Sequence, residues 1–343
     1  MSNRNYDFGG DVSTSYYKNG LANSKLTWER TQEFNIGLDF GFFRNRINGS
    51  LDVYQRTSKD LIMERQLPST TGWTSVWDNI GKVRNTGLEL SINTINVQTS
   101  DFSWQTNIIF DTNKNEILEL YGGKKDDIGN KWFIGEAINV NYDYEFDGIW
   151  QTSEADKAAI YGQTPGQVKV KDQNHDNVID AKDKVILGQQ LPKWTGSITN
   201  TFTYKNWDLA FNVYTRQGAQ LNSTFVSSFM AYDGNYNQAK VDYWTETNPT
   251  NKYPQPGNKG KYFSSMCYQD VSFVRVGYIT LGYTFPMSLL KPIGIKRLKL
   301  YATANNPFLF TSFKGFDPEW ATQNTWGEAT STRTFLFGVK LAF

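Results

Sequence analysis

Apolar and polar residues alternate with a period of two along most of the chain. Phe34, Ile36, Leu38, Phe40 and Phe42 alternate with Asn35, Gly37, Asp39 and Gly41, and Ile47, Leu51 and Val53 stand against Asn48, Ser50, Asp52 and Tyr54. Leu88, Leu90 and Ile92 oppose Glu89, Ser91 and Asn93, while Phe102, Trp104, Ile108 and Phe110 face away from Gln105, Asn107 and Asp111. Trp207, Leu209, Phe211 and Val213 oppose Asp208, Ala210 and Asn212. Successive side chains of a strand point to opposite faces, so this pattern predicts strands with one apolar and one polar flank. Nine long strands follow, near residues 31–42, 46–56, 85–97, 102–112, 195–204, 206–216, 269–285, 296–306 and 333–343. The fifth, through Ile198, Phe202 and Tyr204, alternates least cleanly. Most have about the ten residues that cross a bilayer at a tilt.

The connections alternate in length as well. Short turns are expected at Phe43–Asn45, Gln98–Asp101 and Lys205–Asn206, with a modest one at Pro286–Ile295. Long polar connections lie between them, near 57–84, 113–194, 217–268 and 307–332. Short turns on one side and long loops on the other are the asymmetry of an outer-membrane barrel, whereas a soluble sandwich has shorter strands and mixed connections. At the end of the chain, Phe335, Phe337, Val339, Leu341 and Phe343 form one apolar stripe. A terminal Phe on such a strand looks like the signal read by the barrel-assembly machinery.

Composition narrows the field. Aromatics supply 15% of the residues, which suits pleated, half-buried surfaces. A net charge of +1 gives no electrostatic case for nucleic acid. Cys267 and His175 are the only residues of their kinds, which removes an intrachain disulfide, a cysteine zinc cluster and most triad chemistries. Lumen-side Asp39, Asp52, Glu89, Asp111 and Asp208 read as polar lining, and no enzyme is expected. No apolar run of about 18 residues exists, so no transmembrane helix is predicted, a test that barrels escape.

Nine is an odd number of strands, and single-chain bacterial barrels have an even one. An open sheet would also leave two edges unpaired in lipid, where each unsatisfied backbone group is costly. Strands preceding Met1 are therefore expected. A strand overlooked near Tyr16–Thr27 or Tyr142–Trp150 is the alternative.

Several stretches carry a family likeness. Leu67-Pro68-Ser69, Asn79-Ile80-Gly81-Lys82-Val83-Arg84-Asn85-Thr86-Gly87-Leu88-Glu89, Val271-Ser272-Phe273-Val274-Arg275-Val276, Leu281-Gly282-Tyr283-Thr284-Phe285-Pro286 and Leu300-Tyr301-Ala302-Thr303-Ala304-Asn305-Asn306-Pro307 resemble SusC/RagA-type TonB-linked outer membrane proteins. The resemblance implies an all-β fold: residues 1–343 as the C-terminal part of an antiparallel transmembrane barrel of about 22 strands, with no plug domain in this chain. It also implies import of oligosaccharides or peptides across the outer membrane, with a SusD-like surface lipoprotein as lid and energy from the TonB complex. A smaller complete barrel acting as a passive channel and a secreted glycan-binding β-protein are the competing readings.

The sharpest chemical motif lies inside the expected extracellular loop 113–194. Residues 172–183 place oxygen donors at Asp172, Asn174, Asp176, Asp180 and Asp183, with the Val178 carbonyl between. This is the spacing of an EF-hand calcium loop, which wraps six to eight hard oxygens around one ion. Asn177 replaces the usual Gly at position six, which Asn tolerates because it visits the left-handed region. Asp183 replaces the longer bidentate Glu. A structural divalent cation, calcium, is the expectation, with Ile179 anchoring the loop and His175 facing solvent. Loop aromatics Trp73, Trp77, Trp132, Tyr232, Tyr236, Trp244, Trp320 and Trp326 could stack on sugar rings or simply pack, and no substrate residue is singled out.

Overall fold

The computed structural model describes residues 2–8, 11–17, 20–232, 238–321 and 331–343. In chain order its strands begin with β1 (Ser2–Phe8), β2 (Asp11–Tyr17), β3 (Arg30–Phe42), β4 (Ile47–Gln66), β5 (Ser75–Gln98) and β6 (Phe102–Leu120). β7 (Val140–Tyr144), β8 (Phe146–Ile149), β9 (Val168–Val170) and β10 (Lys184–Gln189) follow. The remainder are β11 (Trp194–Tyr204), β12 (Trp207–Gln217), β13 (Gln220–Asn222), β14 (Tyr268–Asp270), β15 (Phe273–Thr284), β16 (Arg297–Thr311) and β17 (Thr334–Ala342). Three short helices, α1 (Ala155–Ile160), α2 (Thr224–Phe229) and α3 (Met287–Leu290), interrupt the connections.

Nine strands join in one sheet in the order β17-β16-β15-β12-β11-β6-β5-β4-β3. These are the nine that the alternation predicts. The ladders joining β6, β11, β12, β15, β16 and β17 are all antiparallel. Among the described residues, neither stretch suspected of hiding a further strand adds one to this sheet; residues 18 and 19 lie outside the described residues, and Leu21 makes a single parallel bridge to Val76 of β5. β2 pairs only with β1, and β7 and β8 pair with β10 and β9 in separate two-stranded sheets.

The ends of the strands differ from expectation. β4 runs to Gln66 and β5 starts at Ser75, so most of the expected loop 57–84 is a hydrogen-bonded hairpin. β6 continues to Leu120. The expected strand 269–285 is broken at Val271 and Ser272. There Val271 donates its amide to Ala219 O at 3.0 Å and Ser272 donates to Asp270 Oδ1 at 2.7 Å, so β14 leaves the main sheet and pairs with β13.

Sidedness is the property that matters for function. Phe335, Phe337 and Val339 of β17 are 68%, 80% and 63% exposed, and Phe34, Ile36 and Leu38 of β3 are similarly bare. A sandwich would bury such a stripe against a second sheet. The irregular alternation of β11 also has a cause. Asn200 lies on the apolar face, opposite Thr106 and Phe211, but its Oδ1 accepts hydrogen bonds from Trp104 Nε1 at 2.8 Å and Thr106 Oγ1 at 2.7 Å. A polar group outside water is tolerable when its partners are supplied locally.

The chain divides into two compact units. The first comprises residues 1–36, 53–87 and 114–138. Its small core joins Val83, Ile117 and Leu120, with Leu61, Trp132 and Ile134 packed against them. Beside it Glu116 pairs with Arg84 and, at 2.8 Å, with Lys114. The second unit, residues 37–52, 88–113 and 139–343, holds a larger core built almost wholly from connections. Ile149, Val168, Val226, Trp244, Phe263 and Cys267 lie at its centre.

Candidate functional site

The polar flank of the sheet is lined by short hydroxyl and amide side chains that satisfy one another. On β11 and β12, Asn212 Nδ2 donates to Ser197 Oγ at 2.8 Å and to Thr199 Oγ1 at 2.9 Å. Asp208 is paired with Lys299 at 2.7 Å, and Asp111 accepts the Thr195 hydroxyl. Asp52, Glu89 and Asp111 line one pocket of about 390 Å³ together with Ser50 and Ser91. Three carboxylates and two hydroxyls make an acidic, polar wall, the surface expected of a barrel lumen.

One buried cluster on this flank was not legible in the sequence. Arg275 of β15 is 2% exposed and contacts Asp317 Oδ1 at 2.6 Å and Glu319 Oε2 at 3.3 Å. Both acids belong to the β16–β17 connection. Tyr214 donates its hydroxyl to Glu319 at 2.8 Å, and the Arg275 guanidinium lies over the Phe273 ring at 5.4 Å. Phe313 and Ala321 of the same connection pack on Ala219 and Val271. Residues 313–321 are therefore fastened to the sheet by one buried cation, one hydroxyl and a small apolar patch. Forty-two positions separate Arg275 from Asp317, and no local pattern links them.

The acidic loop is folded by its own hydrogen bonds. The Asp172 carboxylate accepts the amides of His175 at 2.7 Å and Asn177 at 2.8 Å, and the Tyr161 hydroxyl at 3.2 Å. Loss of water around Asp172 opposes its charge, but the Asn177 amide, the Tyr161 hydroxyl and the His175 amide outweigh it and hold the carboxyl below its ordinary value. Asn174 Oδ1 accepts the Asp176 amide at 3.0 Å, and Asp176 Oδ1 accepts that of Val178 at 2.9 Å. Asp183 is fully buried and ties the loop's ends, accepting the amides of Gln173 at 2.9 Å and Asp180 at 2.8 Å. Asp180 caps the next turn through Lys182 N. Asn177 adopts φ 63°, in the left-handed region, and His175 adopts φ 60° and is exposed. Ile179 packs against the connection core. Among the described residues, no group of three or more His, Cys, Asp or Glu side chains is gathered to hold a metal ion.

Of the loop aromatics, Trp244 is 3% exposed and donates Nε1 to Gln151 at 3.0 Å, so it packs inside the connection core. Trp132 belongs to the small core of the first unit. Trp77 is 54% exposed and offers a free ring surface. Tyr236 and Trp326 lie outside the described residues.

Three comparisons bear on this arrangement. The family described as TonB dependent receptor-like, beta-barrel matches residues 2–306. A TonB-dependent receptor of Formosa agariphila is 32% identical over 87% of the chain, and the TonB-dependent receptor SusC of Bacteroides thetaiotaomicron is 31% identical over 98% of it. The chain spans about a third of the length of these relatives, 32% and 34% respectively. The solved structure of the RagAB peptide transporter matches the whole chain with a TM-score of 0.79 at 26% identity, covering 38% of that chain.

Proposed function

The chain belongs to the TonB-dependent receptor-like β-barrel family, whose members reside in the outer membrane, and from that premise we propose that it builds part of the barrel wall of a SusC-like nutrient importer. It is the C-terminal portion of that barrel and carries no catalytic role. Its cargo is an oligosaccharide or a peptide, its lid is a SusD-like surface lipoprotein, and its energy comes through the TonB complex. One observation carries the reading: a nine-stranded sheet with an exposed apolar face on one side and a hydroxyl- and carboxylate-lined face on the other. That division is what a wall between lipid and a wet passage needs.

Uptake separates this function from passive diffusion. Cells producing the complete protein are given fluorescent maltooligosaccharides and, separately, a fluorescent peptide mixture, with and without TonB. Accumulation of one class that stops when TonB is removed is the expected result. Accumulation of both classes independently of TonB points to an open pore and refutes the importer.

The acidic loop has a proposed role in the same protein. Its donors are hard oxygens of the kind calcium takes, from Asp172, Asn174, Asp176, Asp180, Asp183 and the Val178 carbonyl. Asp172, Asn174, Asp176, Asp180 and Asp183 all accept backbone amides and must turn from them to coordinate an ion, while Asn177 already adopts the left-handed bend. The bound ion would stiffen the connection without entering transport chemistry. Terbium luminescence sensitised by Tyr161, which touches Asp172, reports binding. Loss of the signal in Asp176→Asn/Asp180→Asn is expected, and a wild-type protein without sensitised emission ends the proposal.

A further inference from the structure

The outward face is not evenly clad. In one row across β12, β15, β16 and β17 stand Trp207, Tyr283, Leu300 and Val339. The next row holds Leu209, Leu281, Ala302 and Phe337. Ala302 is far smaller than its neighbours, so a depression opens between Leu281, Tyr283, Leu300, Phe337 and Val339. It has a volume of about 580 Å³ and is lined almost entirely by carbon. That size falls among pockets that enclose whole small molecules. A gap in an apolar wall forfeits dispersion contacts unless something of matching shape enters it.

The groove lies at the end of the sheet where the turns are short. Trp207 is the first residue of β12, and Thr284 at the end of β15 donates its amide to Asn206 O at 2.9 Å. The β15–β16 connection at this end carries α3 and exposes Met287, Leu289 and Ile293 at 55%, 62% and 65%. Apolar residues bared at a strand's end belong in the boundary between acyl chains and headgroups. Among them stand exposed Lys291 and Lys296, and exposed Lys205 occupies the β11–β12 turn, over the Tyr204 ring at 5.5 Å. The nearest ion pair of these strands, Asp208 with Lys299, is on the opposite face and neutralises none of the three. Asp101 is an acidic neighbour of Lys205, and its backbone carbonyl accepts the Lys205 amide at 2.7 Å.

An apolar slot next to three lysines at an interface matches one kind of occupant. We propose that the groove holds an acyl chain of a phospholipid from the leaflet at the short-turn end, with Lys205, Lys291 and Lys296 holding its anionic headgroup. This site rests on the outer-membrane placement of the chain and adds to it a preferred lipid at a fixed position. Each interfacial lysine that engages an anionic headgroup favours it by about fivefold over a zwitterionic one.

The complete protein is reconstituted into vesicles of equal phosphatidylglycerol and phosphatidylcholine, then released into mild detergent, and the retained lipid is counted by native mass spectrometry. The wild-type protein is expected to keep phosphatidylglycerol over phosphatidylcholine by about fivefold or more. Ala302→Phe, which fills the slot from a surface position, should lose that lipid. Lys291→Gln/Lys296→Gln should keep a lipid but lose the preference for the anionic one. Retained lipid that mirrors the vesicle composition, or an Ala302→Phe protein that retains as much as wild type, overturns the groove while leaving the membrane placement intact. A protein that carries no lipid in any form overturns both.

Discussion

The Arg275 cluster gives the most exposed test of the physical reasoning. Replacing Arg275 with Met removes the only cation among the described residues that faces Asp317, which is 3% exposed, and leaves Glu319 beside it with Arg216 at 3.6 Å and the Tyr214 hydroxyl at 2.8 Å. Deleting one partner of a buried pair costs about 3–5 kcal/mol because the remaining charge stays out of water. Asp317→Asn is milder. Arg275 keeps Glu319 at 3.3 Å, and the carboxamide oxygen can still accept the Glu319 amide, now at 2.9 Å. The cost there is closer to the ~1–2 kcal/mol of one weakened hydrogen bond. Among the described residues Arg275 Nε has no hydrogen-bond partner, and a buried donor left unpaired costs about 1–3 kcal/mol. The cluster thus contributes placement of residues 313–321 more than global stability. Hydrogen exchange reads that placement at the amides of Phe313, Lys314, Glu319 and Trp320, which are held by Thr311, Gln269 and Asp317. Arg275→Met should speed their exchange by about 100-fold or more, and Asp317→Asn by roughly tenfold. Arg275→Met/Asp317→Leu, which replaces the pair with apolar side chains, should recover much of the protection. Equal effects from the two single changes, or acceleration spread evenly over β12 and β15, would refute the idea of a local fastening.

Three further outcomes follow from particular side chains. Burial pushes the Cys267 thiol up to about 12, so maleimide at pH 8 should label it only after unfolding, and labelling of native protein at the rate of a free thiol would count against the buried connection core. Burial opposes the charge of Glu154, but the Gln151 amide and Lys169, at 3.1 Å, prevail and hold its carboxyl below the ordinary value. Stability from this group is therefore present above the unfolded value of 4.5 and lost as pH falls through the lower folded one, so pepsin should begin to cut at α1 in acid, and Glu154→Gln should already be cut at pH 5. The Tyr301 ring lies where a Cβ on Gly338 would stand, so Gly338→Val should destabilise the β16–β17 pairing by about 1–3 kcal/mol, with partial rescue by Tyr301→Ala in the urea midpoint.

The strands were legible because a sheet between lipid and water writes its two environments into alternate residues. The strands of the main sheet have that signature from Phe34–Phe42 to Thr334–Ala342, most weakly in β11, where Asn200 interrupts the apolar face. Their outer ends were not legible. In β4, Ser58-Lys59-Asp60 continues the ladder although the alternation is gone, since backbone pairing needs no apolar flank. The break at Val271 and Ser272 was hidden for the opposite reason: apolar residues flank it on both sides, and only a partner distant in sequence, Ala219, reveals the change of sheet. The acidic loop could be read from spacing because its donors are close in sequence. The Arg275 cluster could not, because Val274-Arg275-Val276 looks like any strand with one lumen-facing cation. Asp317 and Glu319 acquire meaning only when the β16–β17 connection folds back.

The connection core has a practical consequence for anyone who would graft loops onto this barrel. Strands β8 and β9 come from one connection and the segment around Trp244–Phe263 from another, yet Val168 donates its amide to Lys259 O at 3.2 Å and Gln255 donates to Gly166 O at 2.8 Å. Gly166, at φ 86°, sits so close to the Trp244 ring and Gln255 that no side chain fits there. The two excursions are a single cassette encoded in two pieces. Swapping either one alone from a homologue would strip its partner of half a hydrophobic interior, whereas transplanting both together conserves the seam.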